Sequence, residues 1–184
     1  MIDSNRQAHN AAAEIPNLNS LLQQRVRANP DKQFLFSEAD GRVFTYRDFE
    51  NAVGATAALL QSHDVGSGDV VSLLMANSAE YIIAYFACWK LGALAGPINS
   101  LLKEEETAYV INNSEARVVV TGSEFHERIE SIRDKLPHLQ TVITFDDVAK
   151  STEEFVQSEI VAPSLKRDDE AIIIYTSGTT GKPK

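Results

Sequence analysis

Cysteine is almost missing: Cys88 is the only one in 184 residues. One thiol cannot close an internal disulfide or build a metal cluster, and it suits a reducing, cytoplasmic setting. Histidine is equally thin. His9, His63, His126 and His138 stand apart, and no pair has the His-x-x-x-His spacing of a helical zinc site. Positive charge is in deficit, with 17 basic against 26 acidic side chains and a net charge of −9. That balance repels a phosphate backbone at long range and argues against a nucleic-acid partner. Long apolar runs are absent too. The best stretch, Tyr81–Trp89, has nine residues before Lys90 interrupts it, whereas a transmembrane helix needs about 20. Residues 1–16 hold one arginine and no apolar core run. They read as a flexible N-terminus and not as a secretory signal.

What remains is ordinary globular material, 43% hydrophobic and 23% charged, which excludes wholesale disorder. A chain of this length buries roughly 70% of its unfolded surface and needs no disulfide staples.

The periodicities alternate. Leu18, Leu21, Leu22 and Val26 have helical spacing that ends at Asn29-Pro30. Phe34–Phe36 and Val43-Phe44 flank Asp40-Gly41 and predict a hairpin. Thr45 and Asp48 form a capping box ahead of a helix with Phe49, Ala52, Val53, Ala57 and Leu60 on one face. Val70–Met75 is an unbroken apolar run of strand length. Asn77 and Glu80 are expected to cap the next helix, Tyr81–Leu91, with Gly92 as its left-handed terminator. Strand Ala93–Ile98, helix Glu104–Ile111, strand Val118–Thr121, helix Phe125–Leu136 and strand Val142–Phe145 follow. This alternation predicts an α/β fold, a mainly parallel sheet flanked by helices on both faces. Ser151–Asp169 is polar and irregular and reads as a connection. Ala171–Tyr175 is apolar at every position, which predicts a strand buried on both faces.

That last strand runs into Thr176-Ser177-Gly178-Thr179-Thr180-Gly181-Lys182-Pro183-Lys184. Four hydroxyls, two glycines and two ammonium groups suit an anion rich in acceptor oxygens, a polyphosphate. The same composition also serves a plain Ser/Thr/Gly turn. It is not a Walker motif: only two residues separate Gly178 from Gly181, and Pro183 follows Lys182 where that motif needs a hydroxyl. Hydroxyls must therefore take more of the phosphate contact.

Tyr175–Lys184 resembles the phosphate-binding signature of the adenylate-forming enzymes, a superfamily of acyl-CoA synthetases, peptide-synthetase adenylation domains and beetle luciferases. Two earlier segments resemble it in order and spacing: Phe44–Phe49, and Trp89–Ala93 with Gly96-Pro97-Ile98-Asn99. Asn99 stands where peptide synthetases usually carry aspartate, so the likeness leans towards acyl-CoA ligases. The resemblance implies that residues 17–184 are the N-terminal part of the large domain, cut at the phosphate loop. Thr176, Ser177, Gly178, Thr179, Thr180, Gly181 and Lys184 would contact ATP phosphates carried with Mg2+. The acyl and adenine pockets, the magnesium-binding glutamate and the coenzyme A site would come later, so the chain alone is expected to be inactive. A small carboxylate would be the substrate. Delivery to a carrier protein, or survival as a non-catalytic binding module, are the alternatives.

The other reactive-looking residues have plainer readings. Glu104-Glu105-Glu106 complement a helix N-terminus. Cys88, Tyr85 and Trp89 belong on a core helix, and Lys166-Arg167 beside Asp168–Glu170 form a solvated charge cluster.

Overall fold

The computed structural model describes residues 17–154, 160, 162–166 and 168–176. Residues 1–16 and most of the glycine-rich loop lie outside the described residues.

Helix α1 (Leu18–Ala28) is capped by Asn17, whose side chain accepts from the Ser20 N–H at 2.9 Å. Strands β1 (Gln33–Phe36) and β2 (Val43–Thr45) pair antiparallel as the expected hairpin. Thr45 then opens helix α2 (Tyr46–Ser62) through the full capping box. Its hydroxyl accepts from the Asp48 N–H at 3.1 Å, and the Asp48 carboxylate accepts from the Thr45 N–H at 3.0 Å. The predicted face of α2 is buried as read, with Phe49 and Ala57 fully enclosed.

Four strands form a parallel sheet in the order β4-β3-β5-β6: β3 (Val70–Leu74), β4 (Leu94–Pro97), β5 (Val118–Thr121) and β6 (Thr141–Thr144). Helix α3 (Ala79–Leu91) connects β3 to β4, α4 (Glu104–Asn113) connects β4 to β5, and α5 (Ser123–Ser131) leads towards β6. Successive strand residues face opposite ways. Val71, Leu73, Val118, Val120 and Ile143 join Leu60, Ala84 and Cys88 in one apolar cluster. Leu74, Val119 and Ile98 join Ile111, Ile129 and Ile132 in a second. The sheet is thus covered on both faces, as the alternation predicts. A third cluster seats α1 and Phe49 of α2 against Ala79 and Ile83 of α3.

Several boundaries move, each for a local reason. The cap of α3 is Ser78, not Asn77: its hydroxyl accepts from the Tyr81 N–H at 3.2 Å. Glu80, two residues past this cap, forms an ion pair with Arg42. Helix α5 stops at Ser131 and tightens into a 3₁₀ turn, Arg133–Lys135. Ile132 and Leu136 still reach the same apolar cluster. Strand β6 ends one residue early because Thr144 and Asp147 build a second capping box. The Asp147 carboxylate accepts from the Thr144 N–H at 2.8 Å, and helix α6 (Phe145–Glu154) follows where the sequence reads as strand end and connection.

The largest correction concerns the final apolar run. It lies parallel to β4 through a single bridge, Ala95 to Ile172. The Ala95 N–H donates to the Ala171 carbonyl at 3.1 Å, and the Ile173 N–H donates to the Ala95 carbonyl at 3.0 Å. Among the described residues no strand pairs with its other edge. Ile173 and Tyr175 turn inwards, while Ile172 and Ile174 are 41% and 59% exposed. An apolar composition on both faces is therefore buried on one, because this strand sits at the sheet's margin.

Candidate phosphate-loop site

In an open parallel sheet, ligands gather outside the carboxyl ends of the strands. The last described residues, Ala171 to Thr176, run to that end. Continuing the register from Ala95 and Ile172 brings Thr176 level with Asn99, just past β4. Thr176 is exposed at that rim. Of the residues expected to contact phosphate, it alone is described; Ser177, Gly178, Thr179, Thr180, Gly181 and Lys184 lie outside the described residues.

The rim beside Thr176 is fixed by its own hydrogen bonds. The Asn99 side-chain oxygen accepts from the Leu101 N–H at 3.0 Å. Arg128 reaches across from α5, and its Nη1 donates to the carbonyls of Ser100 at 2.9 Å and Leu102 at 3.1 Å. Its guanidinium lies 5.0 Å from the centre of the Phe125 ring. Thr121 is fully buried and donates to the Leu74 carbonyl at 2.8 Å, tying the ends of β3 and β5 together. These contacts hold the rim's shape.

Four contacts hold the strand that carries Thr176. The two backbone bonds to Ala95 are joined by the Trp89 indole N–H, which donates to the Ala171 carbonyl at 2.7 Å. At the other end the Tyr175 hydroxyl donates to Asn113 Oδ1 at 2.9 Å. Burial pushes the Tyr175 phenol above its ordinary range, helped by Tyr109. It therefore stays neutral and able to donate at physiological pH.

Sequence reading missed these anchors. Trp89 reads as plain core, yet it is half-buried and its indole N–H binds the last strand. A tryptophan just ahead of a glycine-terminated helix end was the available signal, because a buried indole usually finds an acceptor. Asn113 carries no signal of its own, since its partner is 62 residues away. Cys88, in contrast, is as read. It is fully buried, its thiol is pushed up to about 12 by that burial, and it is no nucleophile. Among the described residues there is no cluster of histidine, cysteine and carboxylate side chains able to hold a metal ion. Among the same residues, no helix is long and apolar enough to cross a membrane.

Comparison with known proteins agrees with this geometry. Residues 22–184 match the family described as AMP-binding enzyme. The chain is 33% identical to surfactin synthase subunit 3 of Bacillus subtilis over 173 residues, covering 94% of this chain and 13% of that protein. It is 32% identical to the crotonobetaine/carnitine–CoA ligase of Escherichia coli over 167 residues, covering 83% of this chain and 32% of the ligase. Among solved structures, a fatty acyl CoA synthetase of Mycobacterium tuberculosis superposes with a TM-score of 0.83 at 29% identity, over 91% of this chain and 33% of that one. An anthranilate CoA ligase in complex with anthranoyl-AMP superposes with a TM-score of 0.81 at 32% identity, over 89% of this chain and 32% of that one. The chain thus spans about a third of these CoA ligases and less of the synthase. Sequence signature, parallel sheet and family match converge: the chain belongs to the AMP-binding enzyme family.

Proposed function

We propose that this chain carries the phosphate-binding wall of an ATP-dependent acyl-CoA ligase, residues 17–184 being the N-terminal part of its large domain. The observation that supports this most is the delivery of Thr176 to the carboxyl rim of the sheet by a strand running parallel to β4. The segment that follows it is rich in donors and contains Lys184.

In this reading, a carboxylate oxygen of a small organic acid attacks the α-phosphorus of ATP, and the bond to pyrophosphate breaks. The sulfur of coenzyme A then attacks the acyl carbon, the thiol proton is lost, and AMP leaves. The hydroxyls of Thr176, Ser177, Thr179 and Thr180 and the ammonium of Lys184 would bind the β- and γ-phosphates. There they would stabilise charge that grows on the departing pyrophosphate. Gly178 and Gly181 would let the backbone approach the phosphate oxygens. Magnesium, when bound with ATP, supplies further charge neutralisation. The donor set fits a polyanion: hydroxyls, amides and ammonium groups, without a carboxylate between Thr176 and Lys184. A cytoplasmic site of action accords with these cosubstrates.

Carboxylate-dependent exchange of labelled pyrophosphate into ATP tests the reading. The 184-residue chain alone is expected to show none, since positioning both reactants needs more than one wall. In an active protein that contains this chain, Thr179→Ala and Lys184→Ala should each lower the rate about 10²–10³-fold, the scale of losing one transition-state donor. Asp40→Ala, in the β1–β2 connection, should leave it unchanged. Equal losses in all three would remove any special role for the loop. The likeness to surfactin synthase subunit 3 favours a second reading, in which a carrier-protein thiol is the acceptor. Supplying coenzyme A or a carrier protein to the preformed acyl-adenylate separates the two.

A further inference from the structure

The last strand has few attachments. Two backbone hydrogen bonds join it to β4, both through Ala95. Its outward residues Ile172 and Ile174 gain little burial. Past Ile173, the described residues show no backbone bond to the sheet, yet Thr176 leaves the rim only three residues later. What holds the chain at that exit is the side chain of Tyr175. Its ring packs against the cluster of Leu74, Ile98 and Ile111. Its hydroxyl donates to Asn113 Oδ1 at 2.9 Å, and Asn113 is the last residue of α4. The Asn113 end is independently placed, because the Ser114 N–H, one residue on, donates to the Val110 carbonyl at 3.0 Å. An exit without ladder bonds among the described residues is therefore tied to the end of a hydrogen-bonded helix.

We propose that Asn113 and Tyr175 are positioning residues: their hydrogen bond fixes the direction in which the chain leaves the sheet and so the placement of the loop that begins at Thr176. This rests on the reading of that loop as a phosphate site, but the bond is testable without it. The ring and the hydroxyl have separate duties. The ring fills space and stabilises the fold, whereas the hydroxyl sets the azimuth of a backbone that has no ladder partner there. Tyr175→Phe removes only the second. Asn113→Ala removes the acceptor from an exposed position, where no cavity results. Asn113→Asp keeps an acceptor and should restore the wild-type behaviour.

The test compares an active protein that contains this chain, its two single variants, the double variant and Asn113→Asp by hydrogen exchange and MgATP binding. One net hydrogen bond corresponds to about two- to twelvefold in an equilibrium. Exchange over residues 172–184 should therefore quicken about two- to tenfold in each single variant. The double variant should be no faster than either single, since both remove one bond. The global unfolding midpoint should fall by no more than that one bond, so MgATP affinity is the readout that a merely structural role would not move. MgATP affinity should fall by a similar factor in both single variants and recover in Asn113→Asp. Unchanged exchange over 172–184, or additive effects in the double variant, overturns the latch. Faster exchange with unaltered MgATP affinity overturns its role in positioning the loop for ligand. Should the unmutated protein bind no MgATP at all, the phosphate-loop reading fails, and the exchange pattern still decides whether the latch exists.

Discussion

Strand β3 and the run Ala171–Tyr175 look alike on paper. Both are nearly continuous in apolar residues and both have strand length. Their fates differ. β3 is paired on both sides, by β4 and β5, and Val71, Leu73 and Leu74 are fully buried. Among the described residues the final run has one bridge on one side, and its alternate residues face solvent. Composition decides that a segment can be buried; the number of neighbours decides whether it is. The two regions also serve different ends. β3 joins both apolar clusters and stabilises the sheet, whereas the edge run carries the chain out to the carboxyl rim at Thr176.

The sharpest way to break that contrast is to shorten one residue in each strand. Leu73→Ala removes a fully buried side chain and should cost about 2–5 kcal/mol, by transfer loss plus the cavity left behind. Ile174→Ala, at a position 59% exposed, should cost well under about 1 kcal/mol. Urea denaturation followed by circular dichroism measures both. Hydrogen exchange on monomeric protein should agree, slow across Val70–Leu74 and fast across Ile172–Thr176. Comparable destabilisation and comparable protection would mean that the edge run is a finished interior strand. Its exposed isoleucines also make it a template for pairing between molecules, so Ile174→Lys should reduce self-association in sedimentation.

The contrast marks what the sequence could show. The parallel sheet, its two helical layers and the hairpin were legible, because period and caps are local properties. The family was legible for a different reason, a ten-residue signature at Tyr175–Lys184. The edge position of Ala171–Tyr175 was not, since burial depends on which strands arrive beside it. Nor was the choice of Ser78 over Asn77 as cap, since both residue types cap helices and only the Tyr81 N–H bond to the Ser78 hydroxyl separates them. Helix α6 is the instructive miss. Thr144-Phe145-Asp146-Asp147 has the same Thr-x-x-Asp form that announced α2 at Thr45, but an apolar run ending in phenylalanine invited a strand reading.

A middle-sized effect tests how the edge region is held. Gly92 ends α3 with φ at +70°, and a Cβ there would lie 2.9 Å from Pro163 Cγ and 3.1 Å from Leu165 Cδ2. Gly92→Ala should therefore cost about 1–3 kcal/mol, from the left-handed backbone and from displacing residues 163–165. The displaced segment leads to Ala171, so exchange at residues 171–176 should quicken more than exchange in β5. Uniform acceleration through the sheet would show that the two regions respond as one.

The smallest effect concerns the two capping boxes, which give the interior helices a local, pH-dependent contribution. The Thr45 hydroxyl, donating to Asp48 at 2.7 Å, holds that carboxyl below its ordinary range, helped by the Thr45 N–H. Burial opposes ionisation of Asp147, but the Thr144 N–H and hydroxyl, with the charges of Lys150 and His63, together outweigh it, so this carboxyl is lowered as well. A carboxyl whose folded pKa lies below its unfolded value stabilises the fold at neutral pH. That contribution fades as pH falls through the unfolded value and is lost below the folded one. Thr45→Ala and Thr144→Ala should each cost about 1 kcal/mol at pH 7. Both variants should also lose less stability than the unmutated protein between about pH 5 and pH 3, because the titrating contribution has already been weakened. Asp48→Asn and Asp147→Asn retain an acceptor without the charge and should flatten the same window. Urea midpoints measured at half-unit pH steps provide the readout. Parallel pH profiles for all five proteins would place the acid sensitivity of the fold elsewhere than in these two caps.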